Sequence, residues 1–276
     1  MKPSRKNLAS RKGSRPPDLE TRAPQGGRRV SVLWLKNFAG LFLLPVAWVW
    51  TLSFFGLLAR ETVQHRFWST EEFRCFTFGA LLWGLCFGTG IYWRGEPWPL
   101  RVYVFGHELT HAVWAWLFHG KVHEFRVSRE GGHILTDKPN LWVTLAPYFY
   151  PIYSVALVVG FFFACLFFDF KAGPLDWWRG APSPLGFFIL FLGASWSFHF
   201  TFTIWMIARG QSDLRMHGNF FSIVLIYIMN LVLLSLHLAI ALPHAGFRVF
   251  GAELLRHSED FSDAVWRFFA GALHRL

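Results

Sequence analysis

The sequence predicts an all-α polytopic membrane protein with about six transmembrane helices and one small β-hairpin. Only 16% of its 276 residues are charged, against roughly 25% in an average soluble domain. Hydrophobic residues make up 53% of the chain, and they fall in long runs without charge. This composition excludes a disordered chain and argues against a soluble domain, so the expected surroundings of the protein are a lipid bilayer.

Most of the net charge of +10 belongs to the first 36 residues. Ten Lys or Arg stand against two acids there, and the rest of the chain is nearly neutral. We therefore expect residues 1–36 to be a disordered basic tail, and we expect no nucleic-acid partner. Lys and Arg beside the first apolar run favour a cytoplasmic N-terminus. The expected location is the inner membrane of a bacterium.

Six runs approach the length of about 20 apolar residues that a helix needs to cross a bilayer. They are residues 38–59, 75–93, 102–118, 141–168, 185–207 and 220–242. The third is short and contains ionisable residues, and Pro147 and Pro151 interrupt the fourth. Together the runs predict a membrane domain over residues 37–243. Six crossings would return the C-terminus to the cytoplasmic side.

Two further elements are predicted outside the apolar runs. In residues 119–140, Phe125 and Val127 alternate with polar residues before a Gly-Gly turn, a pattern typical of a β-hairpin. In residues 244–276, apolar and charged residues alternate at helical spacing. That pattern predicts an amphipathic helix, lying on the membrane or against the bundle.

The third apolar run contains the sequence GHELTHAVW, which places His107, Glu108 and His111 in the order H-E-x-x-H. Residues four apart lie on one face of a helix, so both imidazoles can bind one Zn²⁺ while Glu108 reaches a water on that ion. Zinc lowers the pKa of such a water towards about 7, and Glu108 is the candidate general base. The alternative is that these side chains form hydrogen bonds between helices.

An H-E-x-x-H helix in a polytopic membrane protein, followed by a hairpin and an apolar segment with an early proline (LWVTLAPYFYP), resembles the site-2 protease family of intramembrane zinc metalloproteases. The resemblance covers residues 98–220. It implies hydrolysis of a membrane-protein or peptide substrate, with His107 and His111 as zinc ligands and Glu108 as catalytic base. The family takes its third ligand from an Asp in a later span, usually in an L-D-G pattern. This sequence has no such pattern.

Two residues are candidates for the third ligand. Asp213 is the only acidic residue between Asp176 and Glu253, but alternating spans would place it about 30 Å from His107. His199 lies in the fifth span, which would run parallel to the third. A hydrogen bond between helices for His199 and a helix N-cap for Asp213 are the alternatives. The sequence leaves the choice open.

Three functions agree with these patterns. The first is an intramembrane zinc endopeptidase, in which an exposed strand edge at residues 121–136 binds extended substrate by β-augmentation; the hairpin could equally only cap the bundle. The second is a non-proteolytic membrane scaffold or regulatory protein with the same fold, a reading favoured by the missing L-D-G pattern. The third is a small transporter with a polar path through His107, Glu108 and His199.

Overall fold

A computed structural model of the chain describes residues 26–128, 131–168, 182–241 and 246–273. Residues 1–25 of the predicted tail lie outside this set. The predicted tail is wrong for residues 26–36, because the first helix begins at Gly26. The apolar residues that start at Val30 extend the helix of the first span towards the N-terminus.

The described part of the chain confirms the predicted helical architecture with a two-stranded hairpin. Its elements are α1 (Gly26–His65), α2 (Glu71–Arg94), α3 (Leu100–Leu117), β1 (Val122–Val127), β2 (Gly132–Thr136), α4 (Leu141–Phe149), α5 (Ile152–Ala164), α6 (Pro184–Ala208), α7 (Ser212–His217), α8 (Asn219–Ala241) and α9 (Gly246–Leu273). A single 3-10 turn joins α1 to α2. The helix expected over residues 244–276 corresponds to α9.

Four described helices are long and apolar enough to cross a membrane, namely α1, α2, α6 and α8. The pair α4 and α5 is bent by 74° and makes a fifth crossing if it counts as one span. These helices agree with an integral membrane protein. The span predicted at residues 102–118, which would bring the number to six, is not confirmed, because α3 does not pass the same test. The two histidines and one glutamate of α3 lower its hydropathy.

Side-chain contacts fix the directions of the helices. Helices α1 and α8 run parallel, because Asn37 bonds Phe221 near the start of α8 and Trp50 bonds Ser235 further along both helices. Helix α9 follows α8 and packs on α1, where Phe250 contacts the ring of Trp50. The N-terminus of α1 and helix α9 therefore lie at opposite ends of the bundle, whereas six crossings would have brought both chain ends to the same side.

Helices α2 and α6 run parallel, since Glu71 bonds Ser183 near their starts and Trp83 bonds Thr201 further along, and they pack very closely. A Cβ atom at Gly79 would lie 1.9 Å from the carbonyl oxygen of Leu190, and one at Gly193 would lie 2.0 Å from that of Phe76. Small residues permit such approach between membrane helices. The C-termini of α2 and α6 therefore lie at the end of the bundle where α7 and the start of α8 are found.

Helix α3, which carries the H-E-x-x-H sequence, is held against α5 and α6. Tyr103 stacks on Phe202 of α6 with ring centroids 4.6 Å apart. On the next turn Gly106 leaves room for Tyr153 of α5, because a Cβ atom there would lie 2.5 Å from the Tyr153 ring. The buried start of α3 is thus fixed before the first histidine of the motif.

The hairpin lies beside α3. Its strands pair antiparallel, with Arg126 opposite His133 and Val127 opposite Gly132. Ser128 donates a backbone hydrogen bond to Gly131 across the turn. The predicted hairpin over residues 119–140 is therefore confirmed.

Candidate metal centre

His107, His111 and Asp213 meet at the end of the bundle where α7 lies. The Nε2 atoms of His107 and His111 lie 3.7 and 3.6 Å from Oδ2 of Asp213. Tetrahedral zinc with ligands at about 2.0–2.2 Å separates those ligands by about 3.3–3.6 Å. Two imidazoles and one carboxylate at these distances could therefore hold one metal ion of this size.

The chain brings Asp213 to this place by folding back after α6. Gly210 adopts a positive φ of 76° at the turn, and Nζ of Lys36 lies 2.9 Å from Nδ1 of His217 at the end of α7. The expected separation of about 30 Å between Asp213 and His107 is wrong. It assumed that α3 crosses the membrane and that residues 208–219 stay at the end of α6.

His199, the rival third ligand, is not part of this group. It is buried on α6, and its Nε2 lies 3.3 Å from Oδ1 of Asn230. The amide nitrogen of Asn230 in turn donates to the carbonyl of Tyr148 at 2.9 Å. In the described ranges, His107, His111 and Asp213 form the single group of three or more His, Cys, Asp or Glu that fits around one metal ion.

The orientation of His111 is fixed by a backbone carbonyl. Its Nδ1 lies 2.7 Å from the carbonyl oxygen of Val143. A carbonyl oxygen only accepts, so Nδ1 donates its proton and the lone pair of a neutral ring remains on Nε2. That lone pair points towards Asp213, as in metal sites where the second ring nitrogen orients the ligand.

Two tyrosines contact His107 and Asp213. Tyr103 OH lies 3.3 Å from Nδ1 of His107, and Tyr148 OH donates to Oδ2 of Asp213 at 2.9 Å. Neither tyrosine was predicted from the sequence. The contact of Tyr103 could have been predicted, because Tyr103 precedes His107 by four residues on one helix. The contact of Tyr148 with Asp213 joins residues 65 apart, and no local pattern predicts it.

Electrostatics favour an ionised carboxylate at Asp213. Burial acts to raise the pKa of the Asp213 carboxyl. The facing rings of His107 and His111 outweigh burial and hold that pKa below its ordinary value. The Asp213 side chain is therefore present in the form that binds cations.

Glu108 lines the same chamber as His107, His111 and Asp213. A cavity of about 490 Å³ is lined by parts of α3, β2, α4 and α7, and it includes His107, Glu108, His111 and Asp213. Glu108 packs against the hairpin, since a Cβ atom at Gly132 would lie 2.5 Å from Cγ of Glu108. The carboxylate thus faces a space with room for a polypeptide segment.

The strand beside this chamber has a free edge. Ser128 bonds Gly131 across the turn, so the alternation of an antiparallel pair turns the peptide groups of Gly132 and Ile134 away from β1. Both residues line the cavity. Among the described strands none pairs with this edge.

Comparison with protein-family models, with curated proteins and with solved structures finds no match for this chain. Its function therefore has to be inferred from the site itself.

Proposed function

We propose that the protein is an intramembrane zinc metalloendopeptidase that hydrolyses peptide bonds of membrane-associated substrates. The supporting observation is the convergence of His107, His111 and Asp213 beside Glu108, in a chamber at one end of a bundle of apolar helices. The alternative scaffold function was favoured by the missing L-D-G pattern. The position of Asp213 weakens that reason, since a carboxylate reaches the two histidines without that pattern.

The donor set favours zinc. Two imidazoles and a carboxylate are a common set for catalytic zinc, which keeps a further position for water and makes that water acidic. A carboxylate-rich oxygen set would instead favour Mg²⁺ or Ca²⁺. Iron(II) also uses two histidines and a carboxylate, but the general base placed directly beside the first histidine is the feature of hydrolytic H-E-x-x-H sites.

In this proposal Glu108 moves the protons of the reaction. It accepts a proton from water as the water oxygen bonds to the carbonyl carbon of the substrate. It then gives that proton to the leaving nitrogen as the C–N bond breaks. The three metal-binding side chains keep their positions throughout. Tyr103 contacts His107, the carbonyl of Val143 contacts His111, and Tyr148 donates to Asp213.

The edge of β2 is the proposed binding site for the substrate. A helical peptide has its amides bonded internally, so it must be extended before hydrolysis. Gly132 and Ile134 present backbone donors and acceptors to the chamber, and an extended segment can pair with them as a third strand. That pairing would place the peptide beside Glu108, which contacts Gly132.

We propose that the site faces the cytoplasm. The end of the bundle that holds it carries many basic residues: Lys36, Arg94, Arg101, Lys121, Arg126, Lys138, Arg209 and Arg215. The basic tail precedes α1 at the same end, and Lys and Arg accumulate on the cytoplasmic side of membrane proteins. The guanidinium of Arg209 lies 4.0 Å from the ring centroid of Trp205, a pair suited to the membrane interface.

The test compares the wild type with Glu108→Gln in the same detergent. We expect about one zinc per chain in both proteins, because Glu108 is not a ligand. A labelled single-span model peptide is incubated with each, and its fragments are identified by mass spectrometry. The wild type should produce fragments that Glu108→Gln does not.

Two results would contradict the proposal. Purified wild-type protein that stays free of zinc after incubation with the metal would exclude a zinc metalloendopeptidase. Equal cleavage by Glu108→Gln and the wild type would show that the fragments come from another protease. Iron in place of zinc would redirect the proposal to oxygen chemistry.

A further inference from the structure

We propose that Pro147 is a positioning residue of the metal centre: because it lacks an N–H group, the carbonyl of Val143 stays free to hold His111. The inference rests on the proposed zinc site. It concerns the backbone of α4, which the H-E-x-x-H motif does not include.

The geometry follows from the hydrogen-bond pattern of an α-helix. Each carbonyl accepts from the N–H four residues later, so Val143 would ordinarily be paired with residue 147. Proline has no N–H to give. Nδ1 of His111 takes the vacant acceptor at 2.7 Å.

This bond satisfies a carbonyl that is buried inside the protein. Val143 is 3% exposed and His111 is 9% exposed. A buried carbonyl without a partner is costly, so proline alone would leave a defect at Val143. The imidazole N–H satisfies that carbonyl, and the carbonyl in return fixes the ring.

Pro147 does not account for the bend between α4 and α5. Helix α4 continues past it to Phe149, and Tyr150 still donates to the carbonyl of Ala146 at 2.8 Å. The 74° break follows at residues 150–151. Helix α4 is therefore not interrupted at Pro147, and the consequence of the proline is that no helix N–H is available to the carbonyl of Val143.

The consequence for the metal site is the choice of ring nitrogen. A neutral imidazole carries one N–H, and the Val143 carbonyl holds it on Nδ1. Nε2 is then the nitrogen that faces Asp213. With an N–H at position 147 the carbonyl would be paired within the helix, and His111 would lose this restraint.

The test is Pro147→Ala in the full chain, with zinc affinity measured by competition against a chelator. We expect the affinity to fall about 10- to 100-fold, the usual effect of losing an outer hydrogen bond to a ligand. The unfolding temperature of the metal-free variant should equal or exceed that of the wild type, because alanine favours a helix interior over proline. A merely structural proline would lower stability and leave the affinity unchanged.

Pro45→Ala is the matched control, since Pro45 also lies inside a helix, in α1 and outside the metal site. Its zinc affinity should equal that of the wild type. A second measurement needs no proline variant: nitrogen NMR of histidine-labelled, metal-free wild type should show a proton on Nδ1 of His111, assigned through His111→Gln.

Wild-type affinity in Pro147→Ala, or an Nδ1 of His111 that carries no proton, would overturn the inference. A wild type that binds no zinc would instead refute the proposed function. The NMR measurement would still decide whether the carbonyl of Val143 holds the ring.

Discussion

Two buried histidine clusters lie in the same bundle, and only one of them is arranged as a metal site. His107 and His111 turn Nε2 towards the carboxylate of Asp213. His199 is equally buried, but its Nε2 is paired with the amide of Asn230. Burial of an ionisable ring therefore does not identify a ligand; the direction of its free nitrogen does.

The difference has a simple electrostatic basis. Around His199 the amide oxygen of Asn230 accepts from Nε2, while the amide nitrogen donates to the carbonyls of Tyr148 and Ile226, so the cluster is complete without an ion. In the first cluster the carbonyl of Val143 accepts from Nδ1 of His111, and Nε2 of that ring faces an ionised carboxylate. A buried carboxylate and a facing ring nitrogen are costly together unless a proton or a metal cation lies between them.

Gly132→Ala is expected to give the largest effect that leaves the metal in place. The added methyl would lie 2.5 Å from Cγ of Glu108 and 2.9 Å from the carbonyl of Arg126. Glu108 must move, and a displacement of about 1 Å at a reacting group costs about 100-fold in kcat/KM. Cleavage of the model peptide measures it, and zinc content should stay unchanged.

Gly160→Ala provides the control for this prediction, because a Cβ atom at Gly160 meets nothing within 4 Å. Its cleavage rate should match the wild type. Wild-type activity in Gly132→Ala would show that the hairpin does not set the position of Glu108.

Tyr148→Phe should weaken zinc binding by about 10-fold, which is the lower end of the range for losing a hydrogen bond to a metal ligand. It removes the hydroxyl that donates to Asp213 and keeps the ring beside His107. Chelator competition measures the change. Tyr227→Phe removes a hydroxyl that contacts Thr51 instead, and it should bind zinc as the wild type does.

His199→Gln should have the smallest effect on the metal. We expect zinc affinity within about twofold of the wild type, because His199 faces Asn230 rather than the site. Loss of a buried hydrogen-bonded ring should lower the free energy of unfolding by about 1–3 kcal/mol. Loss of zinc from this variant, with the protein still folded, would move His199 back among the ligands.

Composition and local pattern predicted much of this architecture. Long charge-poor runs identified α1, α2, α6 and α8. Whether a helix can cross a membrane depends on its own length and apolarity, and both can be read from its local sequence. The H-E-x-x-H pair was found for the same reason, because its spacing is local. The amphipathic pattern after Pro243 likewise indicated α9.

The rest depends on contacts between distant segments. Because α3 was counted as a crossing, Asp213 was predicted at the opposite end of the bundle from His107. No local pattern reveals that residues 208–219 fold back. The bond between Tyr148 and Asp213 and that between His111 and Val143 arise from the packing of α4 against α3 and α7. The sequence therefore left Asp213 and His199 as equal candidates.

The zinc content of Asp213→Ala tests the central claim most directly. Wild-type protein, Asp213→Ala and His199→Gln are loaded with zinc, separated from free metal and analysed for bound metal. We predict about one zinc per chain in the wild type and in His199→Gln, and a loss of affinity beyond about 100-fold in folded Asp213→Ala. Folded Asp213→Ala that retains one zinc at wild-type affinity would contradict the assignment of the third ligand and the metal centre built on it.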